Sequence, residues 1–541
     1  MIRTGGQLVV DQFLAQGVRR IFCVPGESYL AVLDALYDVP DRIDLISCRH
    51  ESGATMMAAA TGQLNGTPGV AFVTRGPGAT NASIAVHIAL QGSIPLVLGV
   101  GQVARRNIGR GSFQEVDFEA FFGPISKHVK QVNDPAAIPS AIAEAFTIAT
   151  TGRMGPVVLA FPEDVLSTTV VPNPATSLVL ESTTIDIDVI TEIDRYLNES
   201  KRPLIIVGGG HWTEGARKQL HQFAGNRHIP VCAAWRRLDI FDHNHPCYAG
   251  FLGFSTPMAL WKRVEQSDCL LVIGARLDEP TTRDYQVPNA ADKGQMLIHI
   301  HPDQAQLGLN FVPDLAVGAR PEDVMGSLND LSTKLNAGWN KWCESARADH
   351  LEAEVPPVAE GVLDLGAVMA ILNEMIPADA IVTVDAGNFT VWPQCHRRYT
   401  RPGRFLAPIN GAMGYGVPSA IAASLAHPDR VVIGCVGDGG MLMTGMELAS
   451  AVKYSAKPII LVFNNAKYGT IEMHQQREYP EREIGNDLLN PDFAEFARSF
   501  GAFGIQVAST SEFAPALNQA LAADTVAVIE LHMDAISGKP T

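Results

Sequence analysis

VVIGCVGDGGML, residues 431–442, decides the reading of the whole chain. A run of mostly β-branched apolar residues breaks into Gly437-Asp438-Gly439-Gly440. Such a run reads as a strand buried on both faces, of the kind found in parallel sheets covered by helices. Ligands of these sheets sit at the carboxyl ends of the strands. Glycines there let main-chain N–H groups approach a phosphate, and a helix start favours negative charge. Asp438 would repel that phosphate unless a cation lay between them. A hard metal that takes oxygen ligands, most simply Mg2+, resolves the conflict.

The next apolar run, PIILVF at 458–463, ends in Asn464-Asn465. As parallel neighbours, the two strands would set Asn465 beside Asp438 and give one ion two side-chain oxygens. Each half alone is ordinary, since a G-D-G turn is usually only a turn and an N-N pair usually caps a helix or turn. Together they differ. Each ends an apolar strand, and residues 440–463 between them read as one crossover helix plus a strand.

The same alternation runs through the chain. Apolar runs at 70–73, 94–100, 156–160, 203–207, 270–273 and 296–300 read as further buried strands, and IVTV before Asp385 as another. Ala-rich helical segments such as 137–150 and 446–455 separate them, which is the βαβ signature. The expected fold class is α/β, with three doubly wound parallel-sheet domains. With 541 residues the chain is too long for one core. Ser-, Thr- and Pro-rich 167–185 and the Pro pair within 351–361 read as linkers, dividing it into 1–170, 186–345 and 360–541.

A net charge of −16 argues against a nucleic-acid or anionic-membrane partner. The eight cysteines are scattered with no C-x-x-C, as expected of reduced buried thiols. MIRTGGQLVV has no apolar signal core, and no run reaches membrane-spanning length. A cytoplasmic protein is expected.

The spacing of G-D-G and N-N, with 24 residues between, resembles the thiamine diphosphate-binding motif. The resemblance implies that Asp438, Asn465 and the main-chain oxygen of Lys467 bind Mg2+. An enzyme using this cofactor needs a carboxyl group beside the pyrimidine ring, away from water. Arg49-His50-Glu51-Ser52-Gly53-Ala54 offers Glu51, after an expected strand at 43–47 and at the start of an Ala-rich helix over 53–61. A Glu in a first helical turn also suits the macrodipole with no chemistry at all.

PGVAFVTRGPGATN at 68–81, GSIPLVLGVGQ at 92–102 and Phe113-Gln114-Glu115 extend the likeness to the acetolactate synthase branch of these enzymes. That likeness implies Glu51 as cofactor activator and Gln114 near the substrate. Asn410-Gly411-Ala412-Met413-Gly414-Tyr415-Gly416 resembles the branch's G-x-M-G-x-G segment. It implies Gly411 and Met413 on the pyrimidine edge, with Met413 wedged between the cofactor's rings. Asp385-Ala386-Gly387-Asn388 looks like a diphosphate-side turn, and the resemblance implies that Gly439, Gly440, Gly469 and Thr470 close on the same phosphates as Asn388. The resemblance covers about 1–535. It implies pyrimidine-binding, middle and diphosphate-binding domains, and a homodimer or homotetramer whose sites join Glu51 of one subunit to the metal site of another.

Departures bear on substrate and flavin. Val207-Gly208-Gly209-Gly210 lacks a full G-x-G-x-x-G, and Gly274-Ala275-Arg276 leads into LDEPTTR. FAD stays open, with a middle domain holding no flavin favoured. Glu27 and Arg75 replace small residues of the branch, and Thr470 and His474 replace its Met and acceptor-selecting Trp. TIEMHQQREYPER, 470–482, has the composition of a mobile flap, and ISGKPT lacks the longer capping tail of some relatives. The expected activity is a carboligase on small 2-oxo acids and aldehydes. A 2-oxo acid decarboxylase, a 2-hydroxyacyl or benzoin-type lyase and a flavin-linked oxidase are the alternatives. A non-catalytic paralogue would lack Glu51, Asp438 or Asn465, and a dehydrogenase would carry an intact dinucleotide fingerprint.

Overall fold

A computed structural model describes residues 2–171, 185–288, 294–331, 337–357, 362–400 and 403–533. Three six-stranded sheets carry the architecture. The first contains β1 (Arg20–Cys23), β2 (Asp44–Ser47), β3 (Gly69–Val73), β4 (Leu96–Gln102), β5 (His128–Gln131) and β6 (Pro156–Pro162). The second contains β7 (Pro203–Val207), β8 (Val231–Ala233), β9 (Tyr248–Phe251), β10 (Cys269–Ile273), β11 (Met296–Ile300) and β12 (Leu315–Val317). The third contains β13 (Ile381–Val384), β14 (Arg404–Leu406), β15 (Val432–Gly437), β16 (Ile459–Asn464), β17 (Phe503–Val507) and β18 (Ala527–His532).

Sheets one and three share a strand pattern, β2-β1-β3-β4-β6-β5 and β14-β13-β15-β16-β18-β17. The middle sheet runs β9-β8-β7-β10-β11-β12. The order switches direction inside each sheet, between β1 and β3, β7 and β10, and β13 and β15, the kind of place where doubly wound folds bind ligands. The expected α/β class, with parallel sheets covered by helices, is therefore what the chain forms.

The chain gathers into two compact units. Among the described residues, one comprises 2–171, 382–388 and 406–533; the other comprises those between 185 and 381 and between 389 and 405. The first unit contains α1 (Glu51–Asn65), α2 (Gly76–Gln91), α3 (Gly416–Ala426), α4 (Asp438–Thr444), α5 (Leu448–Lys453) and α6 (Gly469–Glu478). Small residues let α1 be covered on all sides, and it packs on both α2 and α3. The second unit has its own core of Ile205, Leu271, Ile298, Phe223 and Trp339. Seven of the eight cysteines are buried, and all are free.

Several expectations need correction. The crossover from β15 to β16 is not one helix: α4 ends at Thr444, and a 3-10 turn, Gly445–Glu447, precedes α5. The break turns Glu447 inward, where it is fully buried. Residues 351–354, read as linker, finish the helix Ala337–Glu354. Thr169–Val170 of the other expected linker pairs antiparallel with Arg3–Thr4. Residues 172–184 and 358–361 of those linkers, and ISGKPT, lie outside the described residues.

Glu447 joins the two halves of the first unit. Its Oε1 accepts the N–H groups of Arg49 and His50, both at 3.0 Å, and its Oε2 accepts the Ser450 hydroxyl at 2.5 Å. Burial pushes its carboxyl up from the ordinary glutamate range despite these donors. The site tolerates no extra atom, since a Cβ on Gly53 would lie 2.5 Å from Oε1. Glu447→Ala leaves the Arg49 and His50 N–H groups without this acceptor and opens a cavity where the carboxylate is fully buried, and it is expected to cost about 2–4 kcal/mol. Urea unfolding measures this, and a loss near zero would contradict the assignment.

Candidate active site

β15 delivers Asp438 to the carboxyl end of the third sheet, at its reversal point. Asp438 is 4% exposed. Its Oδ1 accepts the Gly439 N–H at 2.9 Å, and its Oδ2 accepts Asn490 Nδ2 at 2.8 Å. Burial, the largest influence, pushes its carboxyl up; the main-chain groups of Ala466 and Lys467 are among those opposing it. The turn after β16 is therefore folded back onto this carboxylate. Ala466 makes that turn with a positive φ of 54°.

The two asparagines divide the work in a way the spacing does not reveal. Gly437 pairs with Phe463, so Asp438 is level with Asn464 and Asn465 lies one residue beyond. Asn464 is tied into the fold: its Nδ2 donates to Glu530 at 2.7 Å, and its Oδ1 accepts Ala466 N–H at 3.1 Å and Asn490 Nδ2 at 2.9 Å. Among the described residues, Asn465 Oδ1 accepts only the N–H of Lys467, at 3.2 Å. The Lys467 ammonium pairs with Glu472, while its main chain forms the turn.

Glycines bring the remaining residues together. A Cβ on Gly439 would lie 2.6 Å from the Tyr468 ring and 3.1 Å from the Met413 methyl. A Cβ on Gly440 would lie 1.9 Å from Asp385 Oδ2. Asp385 is fully buried, and its Oδ1 accepts the Tyr415 N–H at 3.1 Å. Asn388 Oδ1 accepts the Thr470 hydroxyl at 3.0 Å. Gly469 faces the Asn465 amide, 3.0 Å from where a Cβ would stand. Gly411, at φ +72°, opens the turn that carries Met413. Asn388, Met413, Gly439, Gly440, Asn465, Gly469 and Thr470 thus form one neighbourhood around Asp438.

The donor set suits a hard cation. It includes the Asp438 carboxylate and side-chain amide oxygens, and Asn490 Oδ1 is buried with no hydrogen-bond partner among the described residues. Among the described residues no cluster of three or more His, Cys, Asp or Glu forms a soft-metal site. Asn490 was invisible in the sequence, 52 positions from Asp438.

Glu51 opens α1 at the carboxyl end of the first sheet and is half-buried. Asn81 Nδ2 donates to its Oε2 at 3.0 Å, and a Cβ on Gly78 would lie 3.2 Å from its Oε1. Asn81 stands one helical turn after Gly78, the only signal that could have marked it. Gln114 lies against the same helix start: its carbonyl oxygen is 2.6 Å from where a Cβ of Gly76 would be. Glu51 and Gln114 therefore share one support, α2, while Asp438 and Asn465 follow neighbouring strands of another sheet.

The middle unit accounts for its own glycines. A Cβ on Gly209 would lie 2.1 Å from the Gly274 carbonyl oxygen, and one on Gly274 would lie 2.5 Å from that of Gly208. These glycines are needed for the packing of the two loops, whether or not a flavin binds. The expected flap is helical over 469–478, with no residue fully buried, and His474 is exposed beside Arg477.

Comparison with known proteins agrees with this arrangement. Residues 3–121 match the model of the thiamine pyrophosphate enzyme N-terminal TPP binding domain, 190–328 the central domain and 385–531 the C-terminal TPP binding domain. The chain is 32% identical to the acetolactate synthase large subunit of Parasynechococcus marenigrum (strain WH8102), over 98% of this chain and 87% of that protein. It is 30% identical to the acetolactate synthase isozyme 2 large subunit of Escherichia coli (strain K12), over 98% and 95%. It is 31% identical to a probable acetolactate synthase large subunit of Methanocaldococcus jannaschii, over 99% and 93%. With its motifs gathered at the carboxyl ends of sheets one and three, and with relatives matched along nearly its full length, this chain belongs to the thiamine pyrophosphate enzymes, which act on C–C bonds, in their acetolactate synthase-like branch.

Proposed function

We propose that the protein is a thiamine diphosphate- and Mg2+-dependent carboligase that decarboxylates pyruvate or a similar 2-oxo acid and passes the acyl unit to a second carbonyl. The observation that carries this reading is the fold-back of the 465–467 turn onto buried Asp438 beside the Gly439-Gly440 cradle. Asp438, Asn465 and the carbonyl of Lys467 would hold Mg2+. Asn388, Gly439, Gly440, Gly469 and Thr470 would hold the diphosphate, with Gly411 and Met413 at the pyrimidine. Thiamine diphosphate, when bound, supplies the nucleophilic carbon and the electron sink.

The chain's own residues supply alignment, exclusion of water and proton control. Glu51 would hold a proton at the pyrimidine ring, and the Asn81 amide fixes which way its carboxyl faces. Gln114 would face the substrate. The reading needs no flavin, and a flavin spectrum of the purified protein decides that point. Glu27, Arg75, Thr470 and His474 differ from the branch's pattern, so the acceptor is expected to differ from the usual second 2-oxo acid. The reading takes the enzyme as cytoplasmic, a homodimer or homotetramer of three-domain chains, 1–170, 186–345 and 360–541. No described helix is long and apolar enough to cross a membrane.

Incubation with a panel of 2-oxo acids, alone and with aldehydes, is expected to give CO2 and a 2-hydroxy ketone or acetolactate-like acid. CO2 with aldehyde alone would favour a simple decarboxylase, and no turnover of any 2-oxo acid would refute the reading. Glu51→Gln is expected to lower the rate about 10²- to 10⁴-fold, the usual contribution of a positioned acid–base group. Full activity in that variant would remove Glu51 from the mechanism. Mixing Glu51→Gln subunits with Asp438→Asn subunits is expected to restore part of the activity, because one hybrid site then has both intact halves. No recovery after subunit exchange would argue for sites built within one chain.

A further inference from the structure

The charged cluster around Arg75 stands where the first sheet reverses its strand order, between β1 and β3. Glu27 and Ser28 follow β1, and Thr74 and Arg75 follow β3. The two loops are joined by Ser28 Oγ and Thr74 Oγ1 at 2.9 Å, and by the Arg75 N–H donating to Ser28 Oγ at 3.3 Å. The Arg75 side chain is only 11% exposed. Its Nε donates to Gln114 Oε1 at 3.1 Å, its Nη1 donates to Glu163 Oε2 at 3.1 Å, and its Nη2 lies 3.8 Å from Glu27 Oε2.

Three physical points narrow what this cluster does. A guanidinium has donors and no acceptor, so the Gln114 atom facing it is the oxygen. The Gln114 N–H2 group is then presented on the other side, with no hydrogen-bond partner among the described residues. Gln114 also has a φ of +64°, which a residue with a side chain adopts only where its surroundings hold it. Finally, Glu27 and Glu163 both face Arg75, two negative charges against one positive. Arg75 is thus already engaged, and the uncharged amide of Gln114 is the group offered to an incoming anion.

We propose that Arg75 is a positioning residue that fixes the Gln114 amide so that its N–H donates to an oxygen of the substrate, the carboxylate or keto oxygen of a 2-oxo acid. Glu163 holds the guanidinium in place for this. Gln114 and Glu51 are thereby set against the same first turn of α2, through Gly76 and Gly78. The inference rests on the proposed function, because it assigns Gln114 to a 2-oxo acid.

The test compares Arg75→Met, Glu163→Gln and Gln114→Glu with the wild type as full chains. With thiamine diphosphate and Mg2+, Arg75→Met is expected to raise KM for the 2-oxo acid about 10- to 100-fold, the span of losing a hydrogen bond to a charged group. Affinity for thiamine diphosphate stays within about twofold. Gln114→Glu keeps its pairing with Arg75 but offers no N–H, and it raises KM to the same extent; Glu163→Gln falls between. Without cofactor, amide hydrogen exchange over Gly109–Glu115 is faster in Arg75→Met than in wild type. An unchanged KM, an equal loss of cofactor and substrate affinity, or unchanged exchange would overturn the proposal. If the wild type turns over no 2-oxo acid, the proposed function fails, and the exchange comparison still decides whether Arg75 holds Gln114. If Arg75→Met does not fold, Glu163→Gln and Gln114→Glu carry the same comparisons.

Discussion

A carboxylate removed from water at the end of a buried strand needs compensation, and Asp438 is that carboxylate. Its protein partners are N–H groups and one amide, all uncharged. They leave it a full negative charge that a cation would neutralise. The surrounding sequence serves this arrangement. β15 and β16 are apolar enough to bury the strand ends, Ala466 reverses the chain, and Gly439 and Gly440 make room for Tyr468, Met413 and Asp385. A diphosphate brings charge of the sign of Asp438, so cation and cofactor are expected to bind together.

The first and third sheets repeat one strand order and use it for different chemistry. At the reversal of the third sheet the chain places a carboxylate, amides and glycines. At that of the first it places Ser28, Thr74, Arg75 and Glu27, with Glu51 on the neighbouring β2–α1 turn. Glu447 ties the two together. It leaves the helical segment that begins at Asp438 and caps the turn that carries Glu51. Any change that shifts α4 or α5 therefore reaches the direction of Glu51 through two main-chain hydrogen bonds.

The fold was legible where burial is complete. β15, β16, β7 and β10 are apolar without interruption, and their runs mark them within a residue or two. β18 escaped because Glu530 stands in its middle; that carboxylate is buried, yet held by Asn464 and the Phe493 N–H. β5, an edge strand, is half-exposed throughout and polar in sequence, so its period carries no signal. At the site, Asp438 and Glu51 could be found because their motifs are short-range. Asn490 and Glu447 could not, because their partners lie 52 and 398 positions away, and only the folded chain brings them near. Spacing alone does not say which asparagine stands level with Asp438, and the register of β15 on β16 sets Asn464 there, with Asn465 one residue beyond.

The most direct measurement is calorimetric titration of the cofactor-free protein with thiamine diphosphate, in Mg2+ and in a chelator, for the wild type and for Asp438→Asn. The account predicts binding by the wild type only when Mg2+ is present, and binding by Asp438→Asn weakened at least about a hundredfold, as for removal of a buried, charged ligand. Equal affinity with and without Mg2+, or unchanged affinity in Asp438→Asn, would contradict it.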